Sequence, residues 1–113
     1  MENCPVNIVN LTPHAIVVRD GETEHVFPPS GMVARLRTEI RPTLAIAGIH
    51  VVSTATVGVD GLPEPQQDTW YLVSSLVAQT VRRPDLLSPD TGPTAIRDAQ
   101  GQIVAVRRFQ QFV

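Results

Sequence analysis

A chain of 113 residues with a net charge of −2, 42% hydrophobic and 18% charged residues has the size and composition of one globular domain spanning residues 1–113, too short for two cores. The slight acidity and the absence of a basic run exclude the positive footprint that non-specific DNA or RNA binding needs. No apolar run approaches the ~18 residues of a membrane span, and the start of the chain lacks a basic segment followed by an apolar one. Neither nucleic acid nor membrane is therefore an expected partner, and a cytoplasmic location is expected.

The lone cysteine, Cys4, has no partner for an internal disulfide and reads as a small apolar filler. All nine basic residues are arginine. Codon bias in a GC-rich genome explains this, as does the ability of guanidinium to grip phosphate or carboxylate in a bidentate way, and the two can hold together.

In chain order, Val6, Ile8 and Val9 and then residues 14–18 read as two strand pieces broken by a turn at residues 10–13. Asp20-Gly21 is a hairpin signal, with residues 24–27 as the returning strand. Residues 28–31, PPSG, form a turn because two prolines remove ladder donors and Gly31 tolerates positive φ. From Met32 to Arg41 the sequence alternates: Arg35, Arg37, Glu39 and Arg41 fall on one side, and Ala34, Leu36, Thr38 and Ile40 on the other. Pro42 ends this strand. Residues 44–57 resume as a strand region with a bulge or bend at Gly48, and His50 inside it reads as a core or interface histidine. Asp60-Gly61 leads into LPEPQQD, an exposed loop able to wall or cover a site.

Residues 69–89, TWYLVSSLVAQTVRRPDLLSP, are the centre of the pattern. Trp70 to Val73 favour a strand, with Trp70 expected in the core, and Ser74 and Ser75 offer a helix cap. Leu76, Val77, Thr80 and Val81 give a short apolar helical face that Pro84 stops. A serine-bearing helix start serves either as plain capping or as an anion site. After a turn-rich stretch, residues 94–97 and 102–109 form a terminal hairpin around Asp98 to Gly101, a type I turn with a bulge. The expected fold is mainly β with one short helix, α+β, as a small antiparallel sheet or a partly closed barrel.

The segments NLTPHAI (10–16), PPSGMVAR (28–35), YLVSSLVAQTVRRPDLLSPD (71–90) and IRDAQGQIVAVRRF (96–109) resemble those of small bacteriophage and prophage proteins, especially of actinobacterial phages. The resemblance spans most of the chain. It implies an accessory protein made inside an infected bacterium. That family carries no assigned activity, so no site residue is transferred from it.

Candidate chemistry rests on a few side chains. His14, Ser74 and Asp98 are the residue types of a nucleophilic triad, but no G-x-S-x-G elbow surrounds Ser74. His14, His25 and His50 lack metal-ligand spacing, so neither metal nor cofactor is expected. Thr12 and His14, on either side of Pro13, can point into one cleft. Arg82 and Arg83 sit at the helix end, where positive charge suits the dipole. Pro84 pushes Arg83 out of the helix and Asp85 stands ready to orient it, the arrangement of a phosphate or carboxylate clamp. The expected ligand-binding set is thus Arg83, Asp85, Ser74, Ser75, His14, Thr12 and Tyr71, with Tyr71 or Trp70 stacking on a base.

A ligand of this kind is an anionic, nucleotide-like small molecule, and in a phage setting the protein would sequester a host nucleotide immune signal. The alternatives are a nucleotide phosphodiesterase using His14 as general acid or base, and a structural virion component. Apolar residues on both sides of residues 49–57 further predict a homo-oligomer.

Overall fold

The computed structural model describes residues 6–113, so Cys4 lies outside the described residues. The elements are β1 (Asn7–Asn10), β2 (Ile16–Asp20), β3 (Thr23–Phe27), β4 (Arg35–Pro42), β5 (Val52–Asp60), β6 (Thr69–Leu72), α1 (Ser75–Val81), β7 (Leu86–Pro89), β8 (Ile96–Arg97), β9 (Ile103–Ala105) and β10 (Phe109–Gln110). The protein is mainly β with one short helix, as the sequence predicts.

Its centre is an open four-stranded sheet in the order β1-β6-β7-β10. β1 runs parallel to β6, with Asn7 opposite Thr69 and Asn10 opposite Leu72, and β6 runs parallel to β7. β10 adds an antiparallel edge, and three antiparallel pairs, β2-β3, β4-β5 and β8-β9, surround the sheet. Antiparallel pairs thus dominate in number, but the middle is parallel and no barrel closes among the described residues. The cause is visible in the residues. A parallel strand covered on both faces reads as an unbroken apolar run, and YLV at residues 71–73 and the Leu86-Leu87 start of β7 are such runs.

Side chains leave the central sheet alternately to two core clusters, one on each face, where the length of the chain predicts a single core. Tyr71, Val73 and Leu86 point to one face, where they meet Leu11, Ala34 and the helix residues Val77 and Ala78, with Val9 packed alongside. Leu72, with Ile8 and Leu87 partly buried beside it, joins the other core, against Ile16 and Val18 of β2 and against Val106. A layer of helix and hairpin base therefore covers one face, and β2-β3 with the 95–109 segment covers the other.

Trp70 is only half-buried and belongs to neither core. Its expected place in the core is corrected by the register. β7 joins β6 only from Tyr71 onward, so at Trp70 the sheet is two strands wide and the ring is only partly covered.

Several turns follow their local chemistry. Gly21, at φ 61, opens the two-residue loop between Asp20 and Thr23, as a type II′ turn requires. Asp98 accepts the N–H groups of Gln100 and Gln102 on one carboxylate oxygen, and Gly101 donates its N–H to the Asp98 carbonyl. The hairpin this turn closes is short, because Phe109 leaves it to pair with Pro89 in the central sheet. Ser74 caps α1, and the helix ends one residue early at Val81, with Arg82 in the left-handed region at φ 57. Leu76, expected on the buried helical face, is exposed, and Ala78 takes its place.

The hairpin β4-β5 is longer than the sequence suggests. Ala47 and Gly48, at φ 52 and 76, make the tight turn at its tip between Ile46 and Ile49, so Gly48 is the reversal point and not a bulge. The bulge lies elsewhere. Register shifts between Arg37 and Thr38, where Arg37 faces Gly58 and Thr38 faces Thr56. A side chain at Gly58 would collide with the guanidinium of Arg37, which reaches across to Asp60. His50 is exposed near the tip and not in the core. With this arm, the radius of gyration is 17.4 Å and the longest extent 63 Å, against a radius of about 13 Å for a compact chain of this length.

Candidate functional site

The connections leaving β1 and β6 diverge. After β1 the chain passes to β2 on one face of the sheet, whereas after β6 it enters α1 on the other face. Neighbouring parallel strands whose connections depart in opposite directions leave a crevice beyond their carboxyl ends, the usual ligand position in open parallel sheets. A cleft of about 370 Å³ lies there. Its walls are the turn carrying Thr12 and His14, the end of β6 with Ser74 and Ser75, and Pro89 and Thr91 after β7. Ile103 to Val106 supply an apolar floor.

Four of the seven expected site residues, Thr12, His14, Ser74 and Ser75, thus meet in one place. Ser74, Thr12 and His14 differ in what they offer a ligand. The Ser74 hydroxyl accepts the Val77 N–H at 3.3 Å, which leaves its proton free to donate. Thr12 directs its proton to Asn10 Oδ1 at 2.7 Å, with the His14 carbonyl at 3.0 Å, and keeps its lone pairs for an incoming donor. His14 is exposed at the rim.

The turn is held by Asn10, a residue the sequence reading left without a role. Asn10 is 2% exposed. Its Nδ2 donates to the carbonyls of His14 and Phe27, each at 2.8 Å, and its Oδ1 accepts the N–H and hydroxyl of Thr12. Its own carbonyl accepts the N–H and hydroxyl of Ser30, tying the PPSG turn to the same point. An asparagine two residues before a threonine and just ahead of a proline is the available signal, since such side chains build turns by bonding their own backbone.

The other three expected residues lie elsewhere. Tyr71 is 2% exposed and its hydroxyl donates to the Glu64 carbonyl at 3.3 Å, so it offers no stacking face. Arg83 and Asp85 do form the anticipated pair, with Nε to Oδ1 at 2.9 Å and Nη2 to Oδ2 at 2.6 Å. The third guanidinium nitrogen donates to the Pro63 carbonyl at 3.0 Å, and the group sits 6.0 Å from the centre of the Tyr71 ring. The fork of Arg83 therefore faces its own chain. It staples the LPEPQQD loop to the start of β7, at the opposite end of α1 from Ser74. Trp70 and Asp85 share a smaller depression of about 290 Å³ with Gln66, Asp68, Thr69 and Pro84.

The hydrogen bond from Arg83 holds the Asp85 carboxyl below the usual carboxylate range, and burial only partly opposes it. Arg108, itself exposed, does the same for Asp90. A depressed folded value means that the stabilisation is complete above the unfolded value of about 3.9 and is lost as pH falls through the folded one. Arg83→Ala is expected to lower stability by about 2–3 kcal/mol at pH 7, because it strands a largely buried carboxylate and the Pro63 carbonyl. Urea unfolding at pH 7 and at pH 3 measures this, and the gap between wild type and variant should narrow at the lower pH.

Asp98 spends its carboxylate on the β8-β9 turn and does not line the cleft, so Ser74, His14 and Asp98 do not assemble as a triad. Among the described residues no three His, Cys, Asp or Glu side chains converge as a metal site. No described helix is long and apolar enough to cross a membrane.

No family model matches the chain, nor does any curated protein or solved structure.

Proposed function

We propose that the cleft at the carboxyl ends of β1, β6 and β7 binds a small ligand with a flat ring and an anionic part, of the nucleotide class. The observation that carries this reading is the convergence of Thr12, His14, Ser74 and Ser75, from segments about sixty residues apart in sequence, over one apolar floor. A few convergent polar groups around an apolar concavity are the general form of a small-molecule site. Ile103 to Val106 suit the faces of a base, and the hydroxyls and imidazole suit its polar substituents.

The same features favour holding a ligand over transforming it. The cleft brings no carboxylate beside His14 to orient it as a general base. Together with the resemblance to phage proteins, this supports an accessory role in which the protein sequesters a host nucleotide immune signal.

Calorimetry with a panel of mononucleotides, cyclic dinucleotides and ADP-ribose-like compounds, followed by chromatography of the recovered ligand, tests the proposal. At least one compound should bind wild type and be recovered intact, and His14→Ala should weaken its binding about tenfold, the effect of one lost hydrogen bond to a charged group. Recovery of a cleaved product makes the protein a phosphodiesterase. No binding across the panel removes the reading.

A further inference from the structure

Among the described residues, the hairpin arm is the one large part whose outer half pairs only with itself. At its base Ala34 is buried and Leu36 and Val59 pack on the first core. Beyond the bulge, its two strands pair with each other as far as Pro42 and Val52, and then through Thr43 with Val51 and Ile46 with Ile49. From Thr38 to the tip this ribbon is roughly 30 Å long. An isolated two-stranded ribbon in water is marginal, and a third layer or strand is needed to support it.

The chemistry of the arm is equally unusual for a bare surface. From Pro42 to Val59 there is no Asp, Glu, Lys or Arg. Ile40, Leu44, Ile46, Ile49 and Val52 are all more than half exposed. Together they leave on the order of 600 Å² of apolar surface in the open, the upper end of what a monomer tolerates in one patch. Register sorts the ribbon into two faces. Thr38, Ile40, Pro42, Val52, Thr54 and Thr56 form one, without charge, while Glu39 and Arg41 pair with each other on the opposite face.

We propose that the uncharged face of the arm, with the tip beyond it, packs against the same surface of a second copy of this chain, forming a two-fold dimer. A face with no charge meets itself without like-charge repulsion, as an isologous contact demands. Burying this face together with the tip that carries Leu44, Ile46 and Ile49, on both copies, removes roughly 1,200 Å², where stable interfaces begin. The ion pair of Glu39 and Arg41 stays outside, in water. The contact does not depend on the ligand cleft, which lies in the body of the protein.

Sedimentation of the full chain tests the proposal. Wild type should run at twice 12.3 kDa, or an even multiple of it, at micromolar concentration. Ile40→Glu should shift it to monomer. A second variant removes residues 40–54 and joins Glu39 to Ala55, which already face each other, through an Asn-Gly turn. It should be monomeric with the circular dichroism of the wild-type body. When mixed with excess shortened chain, wild type should form no mixed dimer, because each arm needs another arm. A monomeric wild type, a shortened chain that remains dimeric, or the appearance of mixed dimers overturns the proposal.

Discussion

Asn10→Ala is expected to lower the stability of the protein by roughly 3 kcal/mol, because two carbonyls and two donors at a buried junction lose their partner together. The junction joins the end of β1, the Thr12 to His14 turn, the end of β3 and the PPSG turn. Asn10→Asp separates the contributions. It keeps an acceptor for Thr12 but sets a buried carboxylate against the His14 and Phe27 carbonyls, so it should be at least as damaging at pH 7 and recover in part in acid. Urea titration of both variants is the measurement. An alanine variant within about 0.5 kcal/mol of wild type, the range of an ordinary surface change, would show that the turn holds itself. Since Asn10 carries one wall of the cleft without lining it, ligand affinity should fall along with stability.

Leu72→Ala should be as severe, at about 3–4 kcal/mol, the usual cost of a fully buried leucine whose surroundings cannot collapse. Leu72 is completely buried between the central sheet and the β2 layer, against Ile16, Val18 and Val106. Trp70→Ala is the control. Although the larger side chain is lost, Trp70 stands outside both cores and should cost about 1–2 kcal/mol. If the tryptophan variant melts below the leucine variant, then the sheet at Trp70 is covered by something other than this chain's own strands.

The contrast between these two neighbours shows what could be read in the sequence. Turn chemistry was legible: Asp20-Gly21, the Ser74 cap and Asp98 to Gly101 each act through bonds within a few residues. The preference of residues 70–73 for a strand was legible as well. Which strands flank them was not, because a run buried on both faces shows no alternation, and its partners lie far along the chain. For the same reason the Thr12, His14, Ser74 and Ser75 cluster could be suggested residue by residue, while its floor at Ile103 to Val106 appears only once β9 is laid beside β2. Arg83 and Asp85 were correctly paired from their spacing. That Pro63 would occupy the remaining nitrogen depended on how a loop twenty residues earlier returns.

The parallel pairing of β1 with β6 also governs how the protein is made. β1 leaves the ribosome well before β6, since its partner in register is sixty-two residues behind, Asn7 opposite Thr69. At about 5–20 residues per second, β1 waits roughly 3–12 s for β6, and the uncharged arm emerges within that interval. During synthesis the nascent chain therefore exposes an unpaired strand together with its most apolar ribbon. Both should make it a substrate for chaperones until Leu72 has been translated and β1 can pair with β6.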